Sequence, residues 1–170
     1  MNHQPPTDPL VTHLIDLANR EDRRSLAALR RSLSQGCAAA AYPIVARYFP
    51  KDRRPKMERA ILTVAGLFAL HPLHGTLTLG GALRRAAEQR GSQSIEGRFI
   101  ALLNASVEDI APHLRQLVAL LASNSIGLDW HDLLRALKTW DFDENWARRQ
   151  WARDYWGTAK EEDNEKDKQS

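Results

Sequence analysis

Apolar residues recur at three- and four-residue intervals along most of this chain and seldom alternate with polar ones. That spacing predicts helices and leaves almost no strand signal. A first helix is expected from about Asp8 to Asn19, with Leu10, Leu14 and Leu17 on one face. Asp22 can cap a second, burying Leu26, Leu29 and Leu33, with Gly36 stopping the turn. A third is expected from Ala38 to Phe49, ending before Pro50. The most apolar segment, Met57 to Leu70, reads as a central helix buried on most sides.

The breaker His71-Pro72-Leu73-His74-Gly75 follows, then a short helix from Leu79 to Arg90. After Gly91, Ser94 is expected to cap a helix carrying Ile95, Phe99, Leu102 and Leu103. Ser106 to Asp109 reads as a capped turn, and Pro112 suits the first turn of a helix reaching Ala122. Asp129 caps a helix with Leu133, Leu134, Leu137 and Trp140, and a last amphipathic helix spans about Asp143 to Trp156. The expectation is an all-α domain over 1–157, one or two packed helical bundles with a boundary near 71–78. A charged, disordered tail is expected over 158–170.

Charge changes this picture more than composition does. The net charge is +3, but the tail holds five acids and three lysines, leaving 21 basic against 16 acidic residues in the body. Most of those basic residues are arginines, whose planar fork matches phosphate. They come in doublets: Arg23-Arg24, Arg30-Arg31, Arg84-Arg85 and Arg148-Arg149 on helices, with Arg53-Arg54 in a proline-bracketed loop. Arg98 and Arg115 flank buried stripes. Together these point to an anionic, phosphate-bearing partner. Arg30, Arg31, Arg98, Arg115, Arg148 and Arg149 form the first rank of candidate nucleic-acid contacts, and Arg84, Arg85, Arg53 and Arg54 the second.

Catalytic signatures are missing from the sequence: no phosphate-binding glycine loop, no nucleophile elbow and no metal-ligand spacing. His71 and His74 have Pro72, Leu73 and Gly75 for neighbours, which suits backbone contacts better than a metal. Asp129 and Asp132 read as a helix cap and a first-turn acid rather than a catalytic pair. Trp140, Trp151 and Tyr155 fall at helix-packing spacings. The single cysteine, Cys37, in a small apolar run, reads as a buried hydrophobe and fits a reducing, cytoplasmic setting. No metal or cofactor is implied, and no apolar run is long enough to span a membrane.

Seven segments in order carry a resemblance: Leu26-Ala27-Ala28-Leu29-Arg30-Arg31, Leu67-Phe68-Ala69-Leu70-His71-Pro72, Leu79-Gly80-Gly81-Ala82-Leu83, Ser94-Ile95-Glu96-Gly97-Arg98-Phe99-Ile100-Ala101-Leu102-Leu103, His113-Leu114-Arg115-Gln116-Leu117-Val118, Leu128-Asp129-Trp130 and Trp151-Ala152-Arg153-Asp154-Tyr155-Trp156. Spanning Leu10 to Trp156, the chain resembles the CasB family, the small subunit of the type I-E CRISPR-associated surveillance complex Cascade. The resemblance implies an all-α subunit present beside a second copy of itself, in contact with the backbone and large subunits. It implies contact with CRISPR guide RNA and with the target or displaced strands of double-stranded DNA, stabilising the R-loop without cutting. Gly97 departs from the second basic residue that many relatives carry before Arg98, which weakens the contact implied there.

Two rival readings differ in class. A helical transcription regulator would need a compact helix-turn-helix with a polar recognition helix, whereas the doublets are spread over many helices. A bundle-type metal hydrolase would need inward Glu-x-x-His ligands, and the sequence has none.

Overall fold

The structure is a computed structural model and describes residues 7–142 and 146–157. The expected tail, 158–170, and the first residues of the last helix, 143–145, lie outside the described residues. The described chain is all helix and loop, with no strand. It divides into two compact units, one formed by Met1–His74 and Asp129–Thr139, the other by Gly75–Leu128 and Trp140–Ser170. Each unit takes two stretches of chain.

The first unit contains α1 (Pro9–Asn19), α2 (Arg23–Arg31), three short turns, α4 (Pro55–Leu70) and α8 (Trp130–Lys138). Its first two helices start where an aspartate can satisfy orphan amides. Asp8 Oδ1 accepts the Leu10 N–H at 2.9 Å, and Asp22 Oδ1 accepts the Ser25 N–H at 3.0 Å. Between them Glu21 takes a left-handed φ of 54°, and the Asp22 N–H closes the helix end onto the Leu17 carbonyl at 3.0 Å. Helix α4 forms the middle of the unit and packs against α2 and α8. Its buried Phe68 meets Trp130 of α8 edge-on, ring centres 5.4 Å apart.

One predicted helix of this unit is not continuous. In place of Ala38 to Phe49 the chain makes a 3-10 turn (Ala38–Ala41), a single α turn, α3 (Tyr42–Val45), and a second 3-10 turn (Ala46–Tyr48). Pro43 has no N–H to donate, so a helix cannot run through it unbroken. Cys37, expected to be buried, is only partly covered.

The second unit contains α5 (Leu79–Arg90), α6 (Gln93–Asn104), α7 (Ile110–Ser123) and α9 (Trp146–Ala152), the last widening into a π turn (Arg153–Gly157). Gly91, with φ 92°, reverses the chain at once, so α6 begins at Gln93 with Ser92 before it. Ser94, expected as the cap, is therefore inside the helix. The Ser106-to-Asp109 turn is present, with the Ser106 hydroxyl donating to Asp109 Oδ2 at 2.8 Å. Trp140, expected on the helix of Leu133, lies beyond it. The Thr139 hydroxyl donates to the Arg135 carbonyl at 3.0 Å and ends α8 at Lys138. Trp140 then packs in the second unit against Trp151, ring centres 5.4 Å apart and both buried.

Candidate nucleic-acid interface

Each unit turns its apolar stripe inward and carries candidate arginines on the outside of the same helices. On α2, Leu29 is fully buried while Arg23, Arg24, Arg30 and Arg31 are exposed. Arg30 and Arg31 occupy the last turn, where the helix dipole favours cations. Arg53 and Arg54 are exposed in the loop before α4. Arg54 Nε sits 2.7 Å from Asp52 Oδ2, and that bond holds the Asp52 carboxyl below its ordinary pKa. Arg53 joins no ion pair among the described residues.

In the second unit the arginines are spread over four helices. Arg98 on α6 and Arg115 on α7 are exposed beside buried Phe99 and Leu114. Gly97, before Arg98, opens onto empty space. Two doublets split. Consecutive helical residues point about 100° apart, so one member of a doublet faces solvent as the other turns toward the unit. Arg85 is exposed, whereas Arg84 is half-buried with its Nε 3.2 Å from Glu88 Oε1. Arg149 is exposed, whereas Arg148 is half-buried and built into the packing.

The Arg148 guanidinium lies 4.5 Å from the centre of the Trp140 ring. Its Nη2 donates to the Ala105 carbonyl at 3.1 Å, and Trp140 Nε1 donates to the same oxygen at 2.9 Å. Arg148, expected in the first rank on an open surface, is thus half-buried, with these two contacts inside the unit. The sequence signal that could have found this is the trio of large aromatics, Trp140, Trp146 and Trp151, flanking it.

A groove of about 490 Å3 runs between α5 and the α9 segment, lined by Arg84 and Arg85 on one side and by Gln150 and Asp154 on the other. Its floor is built. The Thr78 hydroxyl, which caps α5 by accepting the Gly81 N–H at 3.3 Å, donates to Asp154 Oδ2 at 2.5 Å. Gln150 Nε2 donates to Asp154 Oδ1 at 2.9 Å. Thr78, Gln150 and Asp154 carried no motif in the sequence; only the fold brings them to the arginines.

The other constellations are structural. Asp129 Oδ1 caps α8 through the Asp132 N–H at 3.1 Å, and buried Asp132 pairs with Arg135 at 2.8 Å. His71 is buried beside Trp130, and His74 stacks edge-on against His131. Phe99 holds both Tyr155 and Trp156, at ring distances of 5.1 and 5.3 Å, and Trp156 Nε1 donates to Glu96 at 3.3 Å. Among the described residues no three His, Cys, Asp or Glu side chains gather as metal ligands, and no helix is long and apolar enough to cross a membrane.

What emerges is a small all-α protein of two helical units faced with arginine. The family described as CRISPR-associated protein Cse2 matches residues 25–156. A Cse2 protein of Thermus thermophilus is 39% identical over 145 residues, covering 82% of this chain and 83% of its own. The crystal structure of a Cse2-family protein from that organism superposes with a TM-score of 0.76 at 34% identity, covering 89% of this chain and 99% of the other. CasB from M. ruber gives 0.75 at 28% identity, covering 93% and 98%. A chain of a structure described as a CRISPR RNA-guided surveillance complex gives 0.73 at 28%, covering 92% and 94%. The chain belongs to the Cse2 (CasB) family, the small subunit of Cascade.

Proposed function

We propose that this subunit grips nucleic-acid backbone in an RNA-guided surveillance complex, holding guide RNA and the target or displaced DNA strand so that the R-loop persists. It contributes no catalysis. It works in the cytoplasm beside the large and backbone subunits and a second copy of itself. The observation that carries this reading is the set of exposed arginines, Arg30, Arg31, Arg53, Arg85, Arg98, Arg115 and Arg149, none of which is in an ion pair among the described residues. Guide–target pairing reads the sequence, so an accessory subunit needs only sugar-phosphate contacts. Arg54 and Arg84 already face Asp52 and Glu88, and Arg148 faces Ala105, so these three contribute least.

The test compares target-DNA binding by assembled complexes carrying Arg30→Ala/Arg31→Ala, Arg98→Ala, Arg115→Ala or Arg149→Ala. Each lost phosphate contact lowers the salt slope of log affinity by about one unit. Variants that assemble and hold target DNA as tightly as the parent would overturn the reading. Strong preference for one duplex sequence by the isolated protein would favour a transcription regulator instead.

A further inference from the structure

The groove between α5 and the α9 segment is more than a basic patch, because its rim carries as many carboxylates as guanidiniums. Arg84 and Arg85 are matched by Glu88 and Asp154, with Gln150 beside them. Such a balance disfavours a purely anionic occupant: an acidic peptide would meet two carboxylates. It suits a ligand that is anionic at one end and offers N–H donors at the other. Leu77 supplies an apolar wall, and Gly81 lines the α5 side.

A Cβ placed on Gly81 would meet Leu77 Cδ2 and the Thr78 hydroxyl at ordinary contact distance, 3.6 Å, so a larger residue can be held there at the groove lining. Asp154 is held still by Thr78 and Gln150, yet each carboxylate oxygen keeps a second lone pair. Glu88 is largely exposed, its side chain 63% open, and can swing from Arg84 to an incoming donor. Arg85 has no ion pair among the described residues and is available to phosphate. The volume, about 490 Å3, is within the range of small-ligand pockets, roughly 300–1,000 Å3.

Resting on the backbone-gripping role proposed above, we infer that this groove is a subsite for one unstacked nucleotide, Arg85 on its phosphate and Glu88 and Asp154 accepting from an amino-bearing base. Cytosine offers its N4 amine to a carboxylate, whereas thymine and uracil present a carbonyl there. The backbone grip is blind to sequence; this groove adds a local preference to it.

The experiment measures binding of the full chain to oligo-dC and oligo-dT, and to oligo-rC and oligo-rU, across a salt series. The parent is expected to favour C by roughly fivefold, the low end of discrimination by a paired base contact. Gly81→Leu fills the groove and should abolish the preference while T binding persists, its salt slope falling by no more than about one unit for the Arg85 contact. Circular dichroism checks the fold. Glu88→Ala, at an exposed position, should weaken the preference even if the leucine variant misfolds. Preference in the DNA pair, the RNA pair or both says which strand the groove serves, and each supports the subsite. Equal binding of C and T by the parent, or a preference that survives both substitutions, overturns it. Equal binding with a steep salt slope would leave the backbone-gripping role standing, whereas failure to bind any oligonucleotide would remove both.

Discussion

The two units solve the same packing problem with different tolerances. In the first, α2 and α4 approach at Gly66, where an added Cβ would strike the Leu33 side chain, which can turn aside, at 2.5 Å and would meet backbone, the Leu29 carbonyl oxygen, only at 3.3 Å. In the second, α5 and α9 approach at Gly80, where a Cβ would lie 2.0 Å from the Trp151 carbonyl oxygen, on backbone that cannot. One contact is side chain on backbone and forgiving; the other is backbone on backbone and rigid. Rigidity in the second unit coincides with the groove, since Gly80 adjoins Gly81 and Trp151 adjoins Gln150. Close approach of the two helices is what sets its walls.

The comparison can be broken most sharply at those glycines. Gly80→Ala should cost about 3 kcal/mol or more, because the whole α9 segment must shift, whereas Gly66→Ala should cost only about 1 kcal/mol. Thermal unfolding of both variants checks this, and equal losses would remove the distinction.

Next comes the split doublet. Arg148→Ala removes a guanidinium packed on Trp140 and one donor to the Ala105 carbonyl, at about 2 kcal/mol. Arg149→Ala, at an exposed site, should cost less than about 1 kcal/mol and register instead in the salt slope of nucleic-acid binding. Urea titration separates the two.

A smaller effect should be common to both units. Glu21 and Ser125 each hold a left-handed φ of 54° at a helix end, a conformation glycine adopts freely. Glu21→Gly and Ser125→Gly should each change stability by no more than about 1 kcal/mol, with relief of backbone strain opposed by the entropy of the unfolded chain. A gain in one unit and a loss in the other, measured by urea midpoint, would show that the helix ends are not equivalent.

The last contrast is in pH. Burial lowers the pKa of His131, whose Nδ1 accepts the Asp8 N–H at 2.9 Å, and burial also lowers that of His13, bonded to Tyr48 at 2.9 Å. Neutral imidazole is favoured in the fold, so this stabilisation is complete above the free histidine value of about 6.5 and is lost as pH falls from there through the lowered values. In the second unit burial raises the Tyr155 pKa, so its contribution is complete below about 10 and is lost as pH rises through the raised value. Segment-resolved amide exchange should therefore show acid loosening the first unit before the second, and alkali the reverse.

Much of this was legible along the chain, for physical reasons that also mark where legibility stops. Helices α1, α2, α4, α5, α7 and α8 carry leucine at helical spacing, and Asp22 and Asp129 cap helices where their positions suggested. Pro43 was present in the sequence, but the small apolar run before it favoured one long helix over three turns. Trp140 fits the stripe of α8 by spacing alone, and only tertiary packing draws it onto Trp151. Arginine doublets announce charge, but one sequence cannot say which member turns inward. The groove was invisible because Thr78, Gln150 and Asp154 are far apart in sequence and ordinary in type.

The interleaving of the two units has a consequence for how the protein is made. Helix α4 buries Phe68 against Trp130 of α8, yet 61 residues separate the two in translation order. At roughly 5–20 residues per second, α4 waits about three to twelve seconds for that partner to be synthesised. A chain stalled or truncated at Leu128 has all the helices of the second unit except α9 and leaves the α4 seam of the first uncovered. Nascent chains at that stage are the ones a holdase would find, and a split-gene version of this subunit would have to be cut elsewhere.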